Sequence, residues 1–415
     1  MDMSLEKRKE RSNIFVWALY DFANTSFSII VVTFLYAVYF KKTVVSGDPL
    51  GDFYWSLSIS LAMLVTAVIA PTLGAIADYT SQKKPFLLFF TLLCVLFTSL
   101  LFLVGPGDIA IGILFFVLAN IGFEAGLIFY DAFLPEITSP KNFGRVSGYG
   151  FAAGYVGSLA SLGLVFPFIE SQNYSSAFPV TALFFLLFSA PLFLFLHERK
   201  KKYDTSVSFI KVGVGRVLST LKNLPGNKNL ALFLLAFFFY IEGVNTVIFF
   251  AGNYASTTLG FTETDLILFF LAVQITAIIG SVGFGALADT TGQKPALMLT
   301  LILWIVTVTI AYTVESKEMF YVVGFLAGAA MGASQSTSRA LMSKLVPFDK
   351  KTEFFGFFSF FGKSSAIIGP LTFGLISSLT GSQRSAIISL VAFFVVGMLL
   401  LTRVKEPMAD EVQSS

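Results

Sequence analysis

The sequence predicts an all-α membrane protein with twelve transmembrane helices arranged as two pseudo-symmetric six-helix bundles. Composition, the lengths of its apolar runs and an internal repeat carry that prediction. Of 415 residues, 55% are hydrophobic and only 13% charged, and the mean hydropathy is +0.79. Soluble domains are about 25% charged, so most of this chain faces lipid or other apolar helices.

Apolar runs cover residues 14–40, 54–77, 86–104, 109–133, 146–169, 176–196, 229–252, 264–287, 296–314, 319–341, 354–379 and 384–402. Each is near or above the roughly 20 residues that cross a bilayer as a helix. An even number of crossings puts both termini on one side. If that side is cytoplasmic, its segments hold 23 of the 28 lysines and arginines. The other side holds Lys41, Lys42, Lys317 and Arg384, and Lys363 falls within a span. The excess of cationic residues sets the orientation, with both termini cytoplasmic. The first run is too long for a cleaved signal peptide and lacks a small-x-small cleavage site.

The chain repeats itself. "GAIADYTSQKKP" at 74–85 returns as "GALADTTGQKP" at 285–295, and "FGRVSGYGFAAGYVG" at 143–157 aligns with "FGFFSFFGKSSAIIG" at 355–369. "YDFANT" at 20–25 is echoed by "YIEGVNT" at 240–246. Three echoes in the same order at near-constant offset imply two halves, 1–196 and 229–415, joined by a charged cytoplasmic linker at 197–228. Parallel halves with a site near the midplane describe a secondary transporter of the rocking type.

Enzymatic chemistry has little to work with. Cys94 is the only cysteine and His197 the only histidine, which excludes an internal disulfide and a metal site built on cysteine pairs. A histidine-based triad would rest on one residue in a basic turn. No catalytic residues, cofactor, metal or nucleic-acid partner are expected. The expected partners are a small-molecule solute and the lipid bilayer, and the expected state is a monomer.

The loops after the second and eighth spans resemble the signature of the major facilitator superfamily, Gly-x-x-x-Asp followed by a turn and basic residues. Gly74, Asp78, Lys83 and Lys84 fit it, as do Gly285, Asp289, Gly292 and Lys294. Tyr79 and Thr290 stand where a basic residue usually follows the aspartate, and Ser81 where glycine is usual. More specifically, "WALYDFANTSF" at 17–27 with "FLYAVYF" at 34–40 resembles the opening helix of the vacuole-effluxer-like family, the autophagy-related amino-acid effluxers, in a bacterial-type member. That resemblance implies the major facilitator fold, a bacterial inner (plasma) membrane location and amino-acid efflux. It also implies that spans 1, 4, 7 and 10 surround a central cavity, with spans 2, 5, 8 and 11 on its walls.

The signature aspartates have a physical role available. An aspartate at a helix C-terminus is poorly placed for its own dipole but can accept from the N-terminal amides of another helix. The resemblance makes Asp78 and Asp289 cytoplasmic gate residues; the alternative is that they simply end their helices at the water interface.

Ionisable residues inside spans cost roughly 2.5–3.5 kcal/mol each even on the lenient insertion scale, and so mark function by default. At about 1.5 Å per residue, Asp21 lies roughly 10 Å from the cytoplasmic edge and Glu124 at similar or slightly greater height. Glu242 and Lys363 fall near the midplane. Tyr20, Asp21 and Asn24 read as a ligand-binding corner, echoed by Glu242 and Asn245 in the second half. Asp21 has a second reading, a hydrogen bond to a neighbouring backbone or to Arg145. Two carboxylates in a low-dielectric cavity raise each other's proton affinity, which makes Glu124, with Asp21, the candidate proton-coupling site. Lys363 suits a substrate carboxylate and Glu242 a substrate amine, unless the two form a structural ion pair. Asp131, seven residues from Glu124, is expected to pair with Arg145 across a turn.

"GASQSTSR" at 332–339 supplies Gln335, Ser336 and Ser338, which either line the cavity or bond between helices. Gly144, Gly148, Gly150, Gly154 and Gly157 read as close-packing residues. Gly157-Ser158 lacks the Gly-Pro of typical drug antiporters. The 49 phenylalanines raise an alternative, a lipid or lysophospholipid transporter or drug exporter on the same fold. Runs such as "LFFLLF" would wrap around a helix and turn mostly into lipid. The expected function is secondary active transport of a small polar or zwitterionic solute, amino acids favoured, possibly coupled to protons.

Overall fold

A chain in lipid must satisfy its backbone within its own segments, and every regular element among the described residues is helical. The computed structural model describes residues 3–48, 50–198, 208–222, 224–365 and 368–408, so part of the predicted linker, 199–207, lies outside them. The long helices are α1 (Met3–Phe27), α2 (Gly51–Thr80), α3 (Lys83–Leu100), α4 (Ile109–Asp131), α5 (Phe143–Glu170), α6 (Tyr174–Phe195) and α7 (Phe209–Lys222). They continue with α8 (Lys228–Leu259), α9 (Glu263–Thr291), α10 (Gln293–Thr313), α11 (Lys317–Leu345), α12 (Lys351–Ser365), α13 (Ile368–Thr380) and α14 (Gln383–Thr402).

Ten helical stretches among the described residues are long and apolar enough to cross a membrane. The predicted run 319–341 falls in α11, which has 29 residues but is diluted by its polar "GASQSTSR" segment. The run 354–379 falls in α12 and α13. Helix ends follow local chemistry. Ser81 (φ 50°) and Gly292 (φ 104°) make the turns after α2 and α9, where serine tolerates a left-handed backbone less readily than glycine. Thr262 and Asp265 form a capping box at the start of α9, satisfying amides that have no partner within the helix. Beyond α1 the chain widens into i→i+5 turns at Ser28–Phe34 and Phe40–Val44.

The chain packs as two compact units. The first draws on the chain through Phe133, on Ala153–Val217 and on Thr352–Gly356; the second draws on Leu134–Ala152, Leu218–Lys351 and the chain from Phe357. In the first, Trp17 stacks on Tyr130 at 4.7 Å and donates to its carbonyl at 3.0 Å. In the second, Trp304 stacks on Phe394 at 5.6 Å and donates to Ser334 Oγ at 3.2 Å. The phenylalanine-rich run at 183–188 divides around α6. Phe184 and Phe185 are buried, whereas Leu183, Leu186, Leu187 and Phe188 are exposed.

Candidate functional site

Asp21 and Asn24 lie one turn apart on α1, both buried, with Asn24 Nδ2 donating to Asp21 Oδ1 at 3.2 Å. The helix is held there by close approach to α5. A Cβ on Gly157 would overlap the carbonyl oxygen of Phe22, and Thr25 Oγ1 donates to the Gly154 carbonyl at 2.7 Å. Tyr20, expected beside Asp21 in a ligand corner, is buried in the packed interior of its unit. Its hydroxyl is 2.8 Å from Thr91 Oγ1, and its ring stacks on Tyr130. Consecutive residues point about 100° apart around a helix, so Asp21 and Tyr20 can serve different surfaces. Glu124 belongs to the same unit on α4 and is also buried.

In the second unit Glu242 is fully buried on α8, and its Oε1 accepts the backbone N–H of Gly369. Asn245, Gln335 and Lys363 are half-buried. The hydroxyls of the α11 polar run are engaged in packing. Ser338 Oγ lies 2.7 Å from the Tyr240 hydroxyl, Ser336 Oγ donates to Ala333 at 3.1 Å, and the Ser336 carbonyl accepts from Ser147 Oγ at 2.8 Å. Of the two readings of this run, Ser338 follows the one that bonds between helices.

The signature aspartates capture helix N-termini. Within the first unit, Asp78 accepts the amides of Thr352 (3.1 Å) and Glu353 (2.8 Å) at the start of α12. Within the second, Asp289 accepts the amides of Gly144 (2.8 Å) and Arg145 (3.0 Å) at the start of α5. Arg145 Nε adds a contact to Asp289 at 3.8 Å. Anions at these positions meet amides that have no partner in their own helix. The glycine four residues earlier permits the approach. A Cβ on Gly74 would overlap the Thr352 carbonyl, and one on Gly285 would lie 2.5 Å from the Gly144 carbonyl oxygen. The i, i+4 spacing puts glycine and aspartate on one helix face. Asp131 closes α4, half-buried.

Three residues were missed by the sequence reading. Glu198 accepts the first amides of α3, from Lys83 (2.5 Å) and Lys84 (3.2 Å). Glu406 accepts the first amides of α10, from Gln293 (2.9 Å) and Lys294 (2.8 Å), and pairs with Lys344 at 2.6 Å. Each follows the last apolar run of its half, 208 positions apart, and that near-repeat offset was the available signal. Arg339, counted by sequence among surface cations, is buried. It donates to Ser147 Oγ (3.0 Å) and to the Ser147 carbonyl (2.8 Å) and lies 4.1 Å over the Phe151 ring.

Solved structures show the fold, and the relatives and family model give the class. The fold matches the proton:xylose symporter XylE with a TM-score of 0.78 over 99% of each chain, at 13% identity. It matches a bacterial homologue of the iron transporter ferroportin at 0.70, over 98% of this chain and 100% of that one, at 16% identity. The chain is a multi-pass integral membrane transporter of the major facilitator superfamily, not an enzyme. Sequence relatives narrow this. The "uncharacterized MFS-type transporter YxiO" of Bacillus subtilis is 32% identical over 95% of both chains. "Autophagy-related protein 22" of Cryptococcus neoformans is 30% identical, covering 63% of this chain and 50% of that one. The Kluyveromyces lactis protein of the same name is 26% identical, covering 61% and 56%. The chain thus spans about half the length of these fungal relatives. The family described as "Vacuole effluxer Atg22 like" matches residues 54–143 and 141–411, and this chain belongs to it.

Proposed function

We propose that this transporter moves a small polar or zwitterionic solute, amino acids first, by alternating access driven by protons. The observation that carries the reading is that buried or half-buried ionisable side chains occur inside the spans of both units: Asp21 and Glu124 in one, Glu242 and Lys363 in the other. Ionisable groups at that depth almost always face the bundle interior or a water-filled cavity and mark functional sites by default. Asp21, Asn24, Glu242, Asn245, Lys363 and Gln335 contact the solute, with Lys363 on its carboxylate. Glu124, with Asp21, carries the proton. Asp78 and Asp289, with Arg145, close the cytoplasmic gate, and Asp131 steadies that end of α4. The chain works as a monomer in a bacterial inner membrane, with halves 1–196 and 229–415 rocking about the linker and both termini cytoplasmic. The family's description as vacuole effluxers supports efflux, and amino acids are the solutes that the resemblance implies.

Counterflow in proteoliposomes tests this. Amino acids should exchange, and Lys363→Ala or Asp21→Asn should reduce exchange more than about tenfold, the loss of one charge-assisted hydrogen bond. Glu124→Gln should leave exchange intact while abolishing accumulation driven by a pH gradient. Exchange of lysophospholipids or apolar cations alone would replace the solute class, and accumulation indifferent to both the gradient and Glu124→Gln would remove proton coupling.

A further inference from the structure

Helix α7 has two faces. On one, Gly213 packs so closely on α2 that a Cβ would sit 2.7 Å from Ile76 Cγ1 and 3.1 Å from the Thr72 carbonyl. Arg216 Nε, on the same face, lies 3.5 Å from Glu353 Oε2. On the other, Ile210, Val214 and Leu218 are 69%, 43% and 53% exposed. Their spacing of four residues makes a continuous apolar stripe, flanked by exposed Lys211 and Lys222. The stretch 199–228 carries eight lysines and arginines against the single acidic residue Asp204.

Depth along the neighbouring helix bears on what this stripe faces. Thr72 and Ile76 lie six and two residues before Asp78, about 3–9 Å along the helix, so α7 lies alongside the last turns of a membrane-spanning helix. A basic helix with one apolar face at that level matches the properties of interfacial helices, and the cytoplasmic leaflet offers anionic lipid. We propose that α7 lies in the headgroup layer and binds anionic phospholipid through the Ile210–Val214–Leu218 stripe with Lys211 and Lys222. The site has a consequence for the gate. Glu353 pairs with Arg216 through its side chain and donates its own amide to Asp78, so lipid that fixes α7 also fixes the N-terminus of α12. The inference rests on the orientation proposed above but not on any substrate.

Hydrogen exchange of the 209–222 amides, measured in phosphatidylcholine nanodiscs and in nanodiscs that also contain phosphatidylglycerol, tests it without a transport assay. Exchange should be about thirtyfold slower with phosphatidylglycerol, the factor two lysines near an anionic surface supply, and high salt should reverse most of the slowing. Lys211→Ala with Lys222→Ala, which leaves the packed face untouched, should exchange at the phosphatidylcholine rate in both lipids. Ile210→Glu with Leu218→Glu should exchange fast in both. Equal protection of the wild type in the two lipids would overturn the proposal, as would undiminished phosphatidylglycerol protection after removal of both lysines. Cysteine labelling of Lys222→Cys from the periplasmic face would overturn the orientation alone.

Discussion

Asp78 sits two residues from the end of α2, where the dipole of its own helix disfavours negative charge. The amides of Thr352 and Glu353 reverse that balance. Removing the carboxylate leaves two partly buried donors unsatisfied, each costing about 1–3 kcal/mol. Asp78→Ala and Asp289→Ala should therefore lower thermal stability in detergent by about 2–4 kcal/mol. Asp52→Ala should change it little, since its pair with Lys41 is exposed and surface pairs contribute about 0–1 kcal/mol. Arg339 makes a different prediction. Its guanidinium serves the Ser147 hydroxyl, the Ser147 carbonyl and the Phe151 ring together, which a lysine ammonium cannot do. Arg339→Lys should cost about 2 kcal/mol or more in the same assay. The sequence located Asp78 and Asp289 because a glycine four residues before an aspartate, repeated in both halves, leaves a visible pattern. Arg339 was not found, because a cation near a helix end looks the same whether it meets water or a serine.

At the scale of elements, α5 shows how much a missing methyl group decides. Gly157 lies against the Phe22 carbonyl with no room for a Cβ, while nothing lies within 4 Å of one built on Gly163. Gly157→Ala should destabilise by about 1–3 kcal/mol through overpacking, and Gly163→Ala should not; recovery of folded protein and its unfolding temperature separate the two. The α9–α11 crossing should respond in the same way. Gly328 and Gly332 meet the carbonyls of Val273 and Ala277 there, so Gly328→Ala should lose comparable stability. Helix positions were legible because an apolar run of membrane length can do little else in lipid. The i→i+5 turns at Ser28–Phe34 were not, since those residues read as ordinary helix and the wider turn is set by packing.

At the scale of the whole molecule, the cationic bias makes a topological prediction. Cys94 is fully buried, so a surface cysteine added to the wild-type chain gives a clean label. Lys42→Cys should react with an impermeant maleimide in intact cells, and Lys222→Cys only after permeabilisation. The reverse pattern would invert the orientation and with it the side assigned to Asp78 and Asp289. By itself the sequence determined the membrane class, the position of most helices and the family signature. Those follow from local quantities, the hydropathy of about 20 consecutive residues and the i, i+4 geometry of one helix face. Only the tertiary structure decided which amides each carboxylate accepts, that the Tyr20 hydroxyl meets Thr91, and that Arg339 is buried. Those outcomes join residues 71 to 275 positions apart, and whether a polar group finds water or a partner is set by the neighbours that packing brings to it.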